Sequence, residues 1–268
     1  MKAPVLLPAA ALVLVAVRAD AAPPWVERGL TLPQFGVAFD AGLGIAHVTG
    51  NGNPDNPDRT GPGLNLDLDF GITHNLEIGL RTGVRFGDDA KATQADRYGR
   101  LFDTETYGTG GDLFANPEFL IRGRLVNVRV FELALEGRVY LPFEQGTYPG
   151  MMFGVPMRFH LGGIARIDLG LYVPVIFTPR DVTDVVSIPA QFWFQPTDRF
   201  FIGPMTGLRF LHFPGPANDR TDVLFGLGLG YQVSRFADIK TDFLFPRING
   251  TPAGREFGFG FGVGLTFD

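Results

Sequence analysis

The nucleophilic and metal-binding residues of this chain are few: four histidines, two serines and no cysteine in 268 residues. An activated hydroxyl needs a base beside it, and neither Ser187 nor Ser234 has a histidine near it in sequence. His47, His74, His160 and His212 show no H-E-x-x-H or other metal-ligand spacing. Without cysteine there is no thiolate site, no thiol nucleophile and no disulfide frame. The stretch "NGNPDNPDRTGPG" (51–63) gathers Asn51, Asn53, Asp55, Asn56 and Asp58. Calcium takes such oxygen ligands, but turns favour the same residues, and the full EF-hand pattern is missing. The expectation is a protein that works without covalent chemistry, cofactor or metal.

The other candidates are charged residues spaced two apart. Asp67, Asp69, Glu77, Arg81, Arg85, Glu118, Arg122, Glu132, Glu136, Arg138, Arg158, His160, Arg166, Asp168, Lys240 and Asp242 fall on one register of alternating segments. The opposite register carries Phe, Leu, Val and Ile with almost no charge. A period of two is the signature of a strand, and a period of 3.6 is nearly absent here. The alternation predicts twelve strands: about 35–45, 64–72, 76–86, 113–123, 128–141, 151–161, 165–177, 185–195, 200–212, 222–233, 237–246 and 256–267. Most are about 10 residues long, the length of a tilted strand that crosses a bilayer.

The predicted connections alternate in length. Short ones fall at "THN" (73–75), "RLVN" (124–127), "GGIA" (162–165), "PTDR" (196–199) and "VSRFA" (233–237). Long ones fall at 48–62, 87–112, 142–150, 178–184, 213–221 and 247–255. A soluble sandwich has no reason to sort its loops this way, whereas an outer-membrane barrel carries short periplasmic turns and long outer loops. Lipid also explains the two faces. Backbone polar groups in a bilayer must pair within the protein, which a closed barrel achieves. The barrel's outer face must be apolar, and its inner face can hold charge.

Composition agrees. Charged residues are 19%, aromatics 13%, and there are 36 glycines. The net charge of −5 argues against a nucleic-acid partner. The first 21 residues read as a signal peptide, with Lys2, the apolar run Val5–Val17 and small residues before a cut after Ala21. An uncleaved anchor is the alternative. Residues 22–34 follow as a periplasmic N-terminal segment, and 35–268 as the barrel.

Three features leave alternatives open. The closing stretch "EFGFGFGVGLTFD" (256–268) sets Phe257, Phe259, Phe261, Val263, Leu265 and Phe267 against Gly258, Gly260, Gly262 and Gly264. Its glycines either leave space in the lumen or relieve crowding on a curved sheet. Lumenal charges either form an ion-paired filling or line a narrow aqueous path. Pro117, Pro156, Pro174, Pro189 and Pro204 fall inside predicted strands, where each removes a ladder hydrogen bond.

With its signal peptide, its turns of the type "GITHNLEIGL" (71–80) and its aromatic-rich final strand, the chain resembles bacterial outer-membrane β-barrels. The turn style is similar to porin-like barrels grouped with the meta-pathway phenol-degradation outer-membrane proteins. One departure is visible: such barrels usually end on an aromatic residue, whereas Phe267 here is penultimate and Asp268 last. The resemblance implies an all-β, transmembrane antiparallel up-and-down barrel of about 12 strands in the bacterial outer membrane. Its partners would be outer-membrane lipid, the outer-membrane assembly machinery and small solutes that pass or bind in a narrow charged lumen. A closed structural or adhesive barrel acting through its outer loops, and a soluble periplasmic all-β protein, are the alternatives.

Overall fold

The structure is a computed structural model that describes residues 23–49, 58–85, 114–143, 148–177, 185–211, 220–250 and 255–267. The strands are β1 (Val37–Val48), β2 (Arg59–Thr73), β3 (Leu76–Arg85), β4 (Phe114–Val128), β5 (Phe131–Tyr140), β6 (Gly150–Leu161), β7 (Ala165–Ile176), β8 (Val185–Phe194), β9 (Phe200–Leu211), β10 (Arg220–Gln232), β11 (Ala237–Phe245) and β12 (Glu256–Phe267). Each pairs antiparallel with its neighbours in sequence, and β1 pairs with β12 from Val37↔Phe267 to Val48↔Glu256. That seam closes a barrel, so every strand edge is paired.

Alternation then sorts the side chains. On β12 the odd residues Phe259, Phe261 and Val263 are exposed, while Gly260, Gly262 and Gly264 are buried. The same division runs around the wall, with Leu43, Phe119, Phe153, Phe192 and Phe225 among the exposed apolar residues. Exposed to water this surface would be untenable; lipid is the solvent that suits it.

Two boundaries differ from the sequence pattern by five residues. β2 begins at Arg59, within the predicted loop 48–62. "RLVN" (124–127) is not a turn: β4 continues to Val128, and the connection is Arg129–Val130. The β4–β5 register shifts between Arg124 and Val126. This bulge leaves Leu125 and Val126 both exposed, which breaks the period of two by which a strand is read.

The in-strand prolines sit at interruptions of the ladder. Pro117 lies at the β3–β4 shift between Arg81 and Gly83. Pro156 lies between the pairs Leu133↔Met157 and Glu136↔Gly154. Pro189 lies between Leu169↔Ala190 and Tyr172↔Ser187, and Pro174 beyond the last of these. Pro204 lies between Gln191↔Met205 and Phe194↔Ile202. A residue without an N–H is tolerated where the ladder has no bond to lose.

Residues 23–34 occupy the bore. A 3-10 turn (Trp25–Glu27) starts the segment. Its exit into β1 is made at Phe35, which has a positive φ of 64°. The Phe35 N–H donates to the Gly71 carbonyl (2.7 Å), and the Gly71 N–H donates to the Gly36 carbonyl (2.9 Å).

Candidate functional site

The segment in the bore is not part of the sheet, so its backbone groups need other partners. Wall side chains of both signs supply them. Carboxylates and amides accept from its N–H groups: Val26 donates to Gln195 Oε1 (3.1 Å), Leu30 to Glu132 Oε2 (3.1 Å) and Leu32 to Glu77 Oε2 (2.7 Å). Cationic side chains donate to its carbonyls. Arg158 Nη1 reaches Arg28 O and Gly29 O (both 2.6 Å), and Arg122 Nη1 reaches Leu30 O (3.0 Å). Arg166 donates to Trp25 O. Arg28 of the segment makes a two-pronged contact with Asp238 (2.6 and 3.2 Å). His160 bridges Val26 O (3.1 Å) and Glu132 Oε1 (2.7 Å).

Trp25 anchors the segment through aromatic contacts. It stacks on Phe201 with ring centroids 4.7 Å apart and meets Trp193 edge-on at 5.9 Å. Three cations surround its ring: Lys240 Nζ at 4.4 Å, Arg166 Cζ at 4.9 Å and Arg28 Cζ at 5.2 Å from the centroid. Inward glycines on β6, β7 and β10 make room for rings. A Cβ at Gly230 would fall on the Phe201 ring, one at Gly228 on the Trp193 indole, and one at Gly154 or Gly170 on the Tyr172 ring. These glycines let the aromatic side chains of Phe201, Trp193 and Tyr172 lie flat against the wall. Gly230→Leu is therefore expected to push Phe201 off Trp25 and destabilise the barrel by about 1–3 kcal/mol. A red shift of tryptophan emission and a lower unfolding temperature would register it.

Beyond the segment the wall charges pair with one another. Glu136, with no exposed side-chain surface, sits between Arg122 Nη2 and Arg138 Nη2, both at 2.6 Å. Arg122 also reaches Glu77 (2.8 Å), and Arg138 reaches Glu118 (3.4 Å). Asp168 is shared by Arg158 (2.6 Å) and Arg166 (2.9 Å). Arg81 lies 3.2 Å from Asp67, and Lys240 3.3 Å from Asp40. A cavity of about 260 Å³ remains beside the segment, lined by Trp25, Arg28, Arg158, Arg166, Trp193 and Lys240 among others.

The sixteen charged residues singled out in the sequence divide as follows. Glu77, Arg122, Glu132, Arg158, His160 and Arg166 hold the segment. Asp67, Arg81, Glu118, Glu136, Arg138 and Asp168 belong to wall ion pairs, and Lys240 to both the wall and the Trp25 ring. Asp69 is half-buried and faces Gly79; Asp242 is buried on β11, opposite Gly228 and Gly260. Arg85 ends β3, and its side chain lies outside the described residues. Sequence reasoning missed Trp25 and Arg28, which stand ahead of any alternation. It also missed Asp40, Asp222 and Asp238, which share the charged register and were legible there; Arg209 and Arg247 pair with Asp222 at 2.7 and 3.9 Å.

The earlier candidates for chemistry are placed elsewhere. Ser187 faces Tyr172 and Arg209 across its ladders. Ser234 accepts from the Phe236 N–H in its own turn (3.2 Å). His47 contacts Thr60 at 2.7 Å, and the His74 carbonyl accepts from Thr31 at 3.0 Å. Among the described residues, no group of three or more acidic or histidine side chains could hold a metal ion. The expected signal peptide (1–21), residues 51–57 of the candidate calcium stretch, His212 and the long stretch 87–112 lie outside the described residues.

No family model and no curated protein matches the sequence. Solved structures match the fold. The chain is similar to the NanC porin with a TM-score of 0.58 at 6% identity, over 85% of this chain and 98% of that one. It is similar to an outer membrane channel from Pseudomonas putida F1 with a TM-score of 0.58 at 11% identity, over 88% and 97% of the two chains. It is similar to the KdgM porin with a TM-score of 0.50 at 10% identity, over 84% and 98%. At these identities the likeness is one of fold. The fold is that of porin-type outer-membrane barrels: closed, antiparallel and twelve-stranded.

Proposed function

We propose that the chain is a bacterial outer-membrane channel that passes small solutes through a narrow, charged lumen. The observation that carries this is the cavity of about 260 Å³ left beside the segment in the bore, lined by charges of both signs. An apolar outer face surrounds a polar, partly open interior, which is the division a channel needs. The short turns set the orientation: they face the periplasm, so residues 23–34 narrow the periplasmic end. The lumenal Arg, Asp and Glu side chains select solutes by charge, and no covalent step is involved. Outer-membrane lipid and the assembly machinery are the partners this reading requires. The turn style of "GITHNLEIGL" supports kinship with the meta-pathway phenol-degradation barrels as a finer part of the same proposal.

A closed structural barrel is the second reading, favoured by the anchoring of the segment to many strands. Single-channel recording of the refolded mature chain in a planar bilayer separates the two. Steady conductance steps with an ion preference are expected. An inserted, heat-modifiable barrel that stays silent would establish the closed reading instead.

A further inference from the structure

The lumenal cavity is lined by two unlike kinds of side chain. Arg28, Arg158, Arg166 and Lys240 are cations, while Met152, Pro156, Tyr172, Pro189 and Trp193 offer apolar surface and ring faces. We infer that this cavity binds an organic anion with a compact apolar body, a ring or branched chain bearing one carboxylate. The assignment rests on the channel reading and names the class of solute that the channel favours.

Charge comes first. Six of the lining side chains are cations and four are carboxylates, and Asp238 and Glu136 behind the lining pair with Arg28, Arg122 and Arg138. Positive charge is least balanced where one carboxylate, Asp168, serves two guanidinium groups, Arg158 and Arg166. A second carboxylate placed there relieves the repulsion between those cations, and a solute cation meets it head-on. In a site screened from bulk water such terms are larger than at a surface.

The apolar lining then decides the rest of the solute. Pro156 and Pro189 are buried on the inner register and have no N–H to donate. Met152 is 3% exposed, and the Tyr172 ring lies flat across the backbones of Gly154 and Gly170. Sugar hydroxyls set against Met152, Pro156 and Pro189 would lose water without gaining partners, which is costly. An apolar ring loses nothing there and gains contact with the face of Tyr172 and with Trp193.

The chain provides its own reporter. It has two tryptophans, Trp25 and Trp193, and both line the cavity. The refolded full chain in detergent is titrated with cyclohexanecarboxylate, which does not absorb in the tryptophan band, and emission is followed. Comparison titrations use cyclohexylmethanol, cyclohexylmethylammonium, acetate and glucuronate. A saturable change is expected with cyclohexanecarboxylate, at a half-point at least tenfold below that of every comparison probe. Lys240→Gln is expected to raise that half-point several-fold. Equal half-points for cyclohexylmethanol would show that charge plays no part; that alcohol also enters micelles more readily, so it controls for detergent. Equal half-points for glucuronate would remove the apolar wall from the account. Either result overturns the assignment. No response to any probe from a chain that conducts would overturn it too and leave the channel standing. A chain that neither responds nor conducts would fail both readings.

Discussion

Deleting residues 23–34 is expected to raise single-channel conductance several-fold. The segment crosses the bore and bonds to side chains on β3, β4, β5, β6, β7 and β11, with Trp25 packed against β8 and β9. Its removal takes the Trp25 indole and Arg28 out of the lumen. It also returns Glu77, Glu132, Asp238, Arg158 and Arg166 to water, so the vacated space becomes a polar path. A twelve-stranded wall lies between eight strands, which side chains fill, and sixteen, which leave an aqueous channel. Whether such a barrel is narrow or open is therefore set by what lies inside it. Bilayer recording of the truncated and full-length chains side by side checks this. Equal conductance would mean that the constriction lies elsewhere, in the outer loops.

The second large effect is on stability. Glu136→Ala is expected to cost about 3–5 kcal/mol, the range for removing one partner of a buried ion pair. The carboxylate is fully enclosed and joins Arg122 to Arg138. Without it two guanidinium groups face each other in the wall. Arg122 also holds Glu77 and the Leu30 carbonyl, so the loss spreads to the segment in the bore. The temperature at which the folded, fast-migrating form converts on a gel should fall sharply. A single variant as stable as the parent would show that water enters this part of the wall and compensates.

Much of this architecture is visible in the sequence, and what is hidden is hidden for identifiable reasons. Alternation needs only local information, so the strands and the closed, lipid-facing wall are readable from Phe, Leu and Val set against Gly, Asp and Arg. It fails at Leu125–Val126 because a bulge puts two successive residues on one face. The prolines are misleading when read one strand at a time, since what matters is whether the neighbouring strand offers a bond, and that is a property of the register. Charges at Glu136 or Asp168 can be placed on the inner register, but not paired, because their partners come from other strands. The Trp25 anchor was the least legible. "PPWVERGLTLPQF" (23–35) has no period of its own and takes its shape from the wall that surrounds it.

That enclosure has a consequence for the order of events. Gly36 leads directly into β1, and one edge of β1 is sealed by β12, the last strand of the chain. Until β12 arrives, the sheet is open and its first residues have no interior to occupy. The seam that closes the wall and the segment that sets the width of the passage therefore meet at one place, the start of β1.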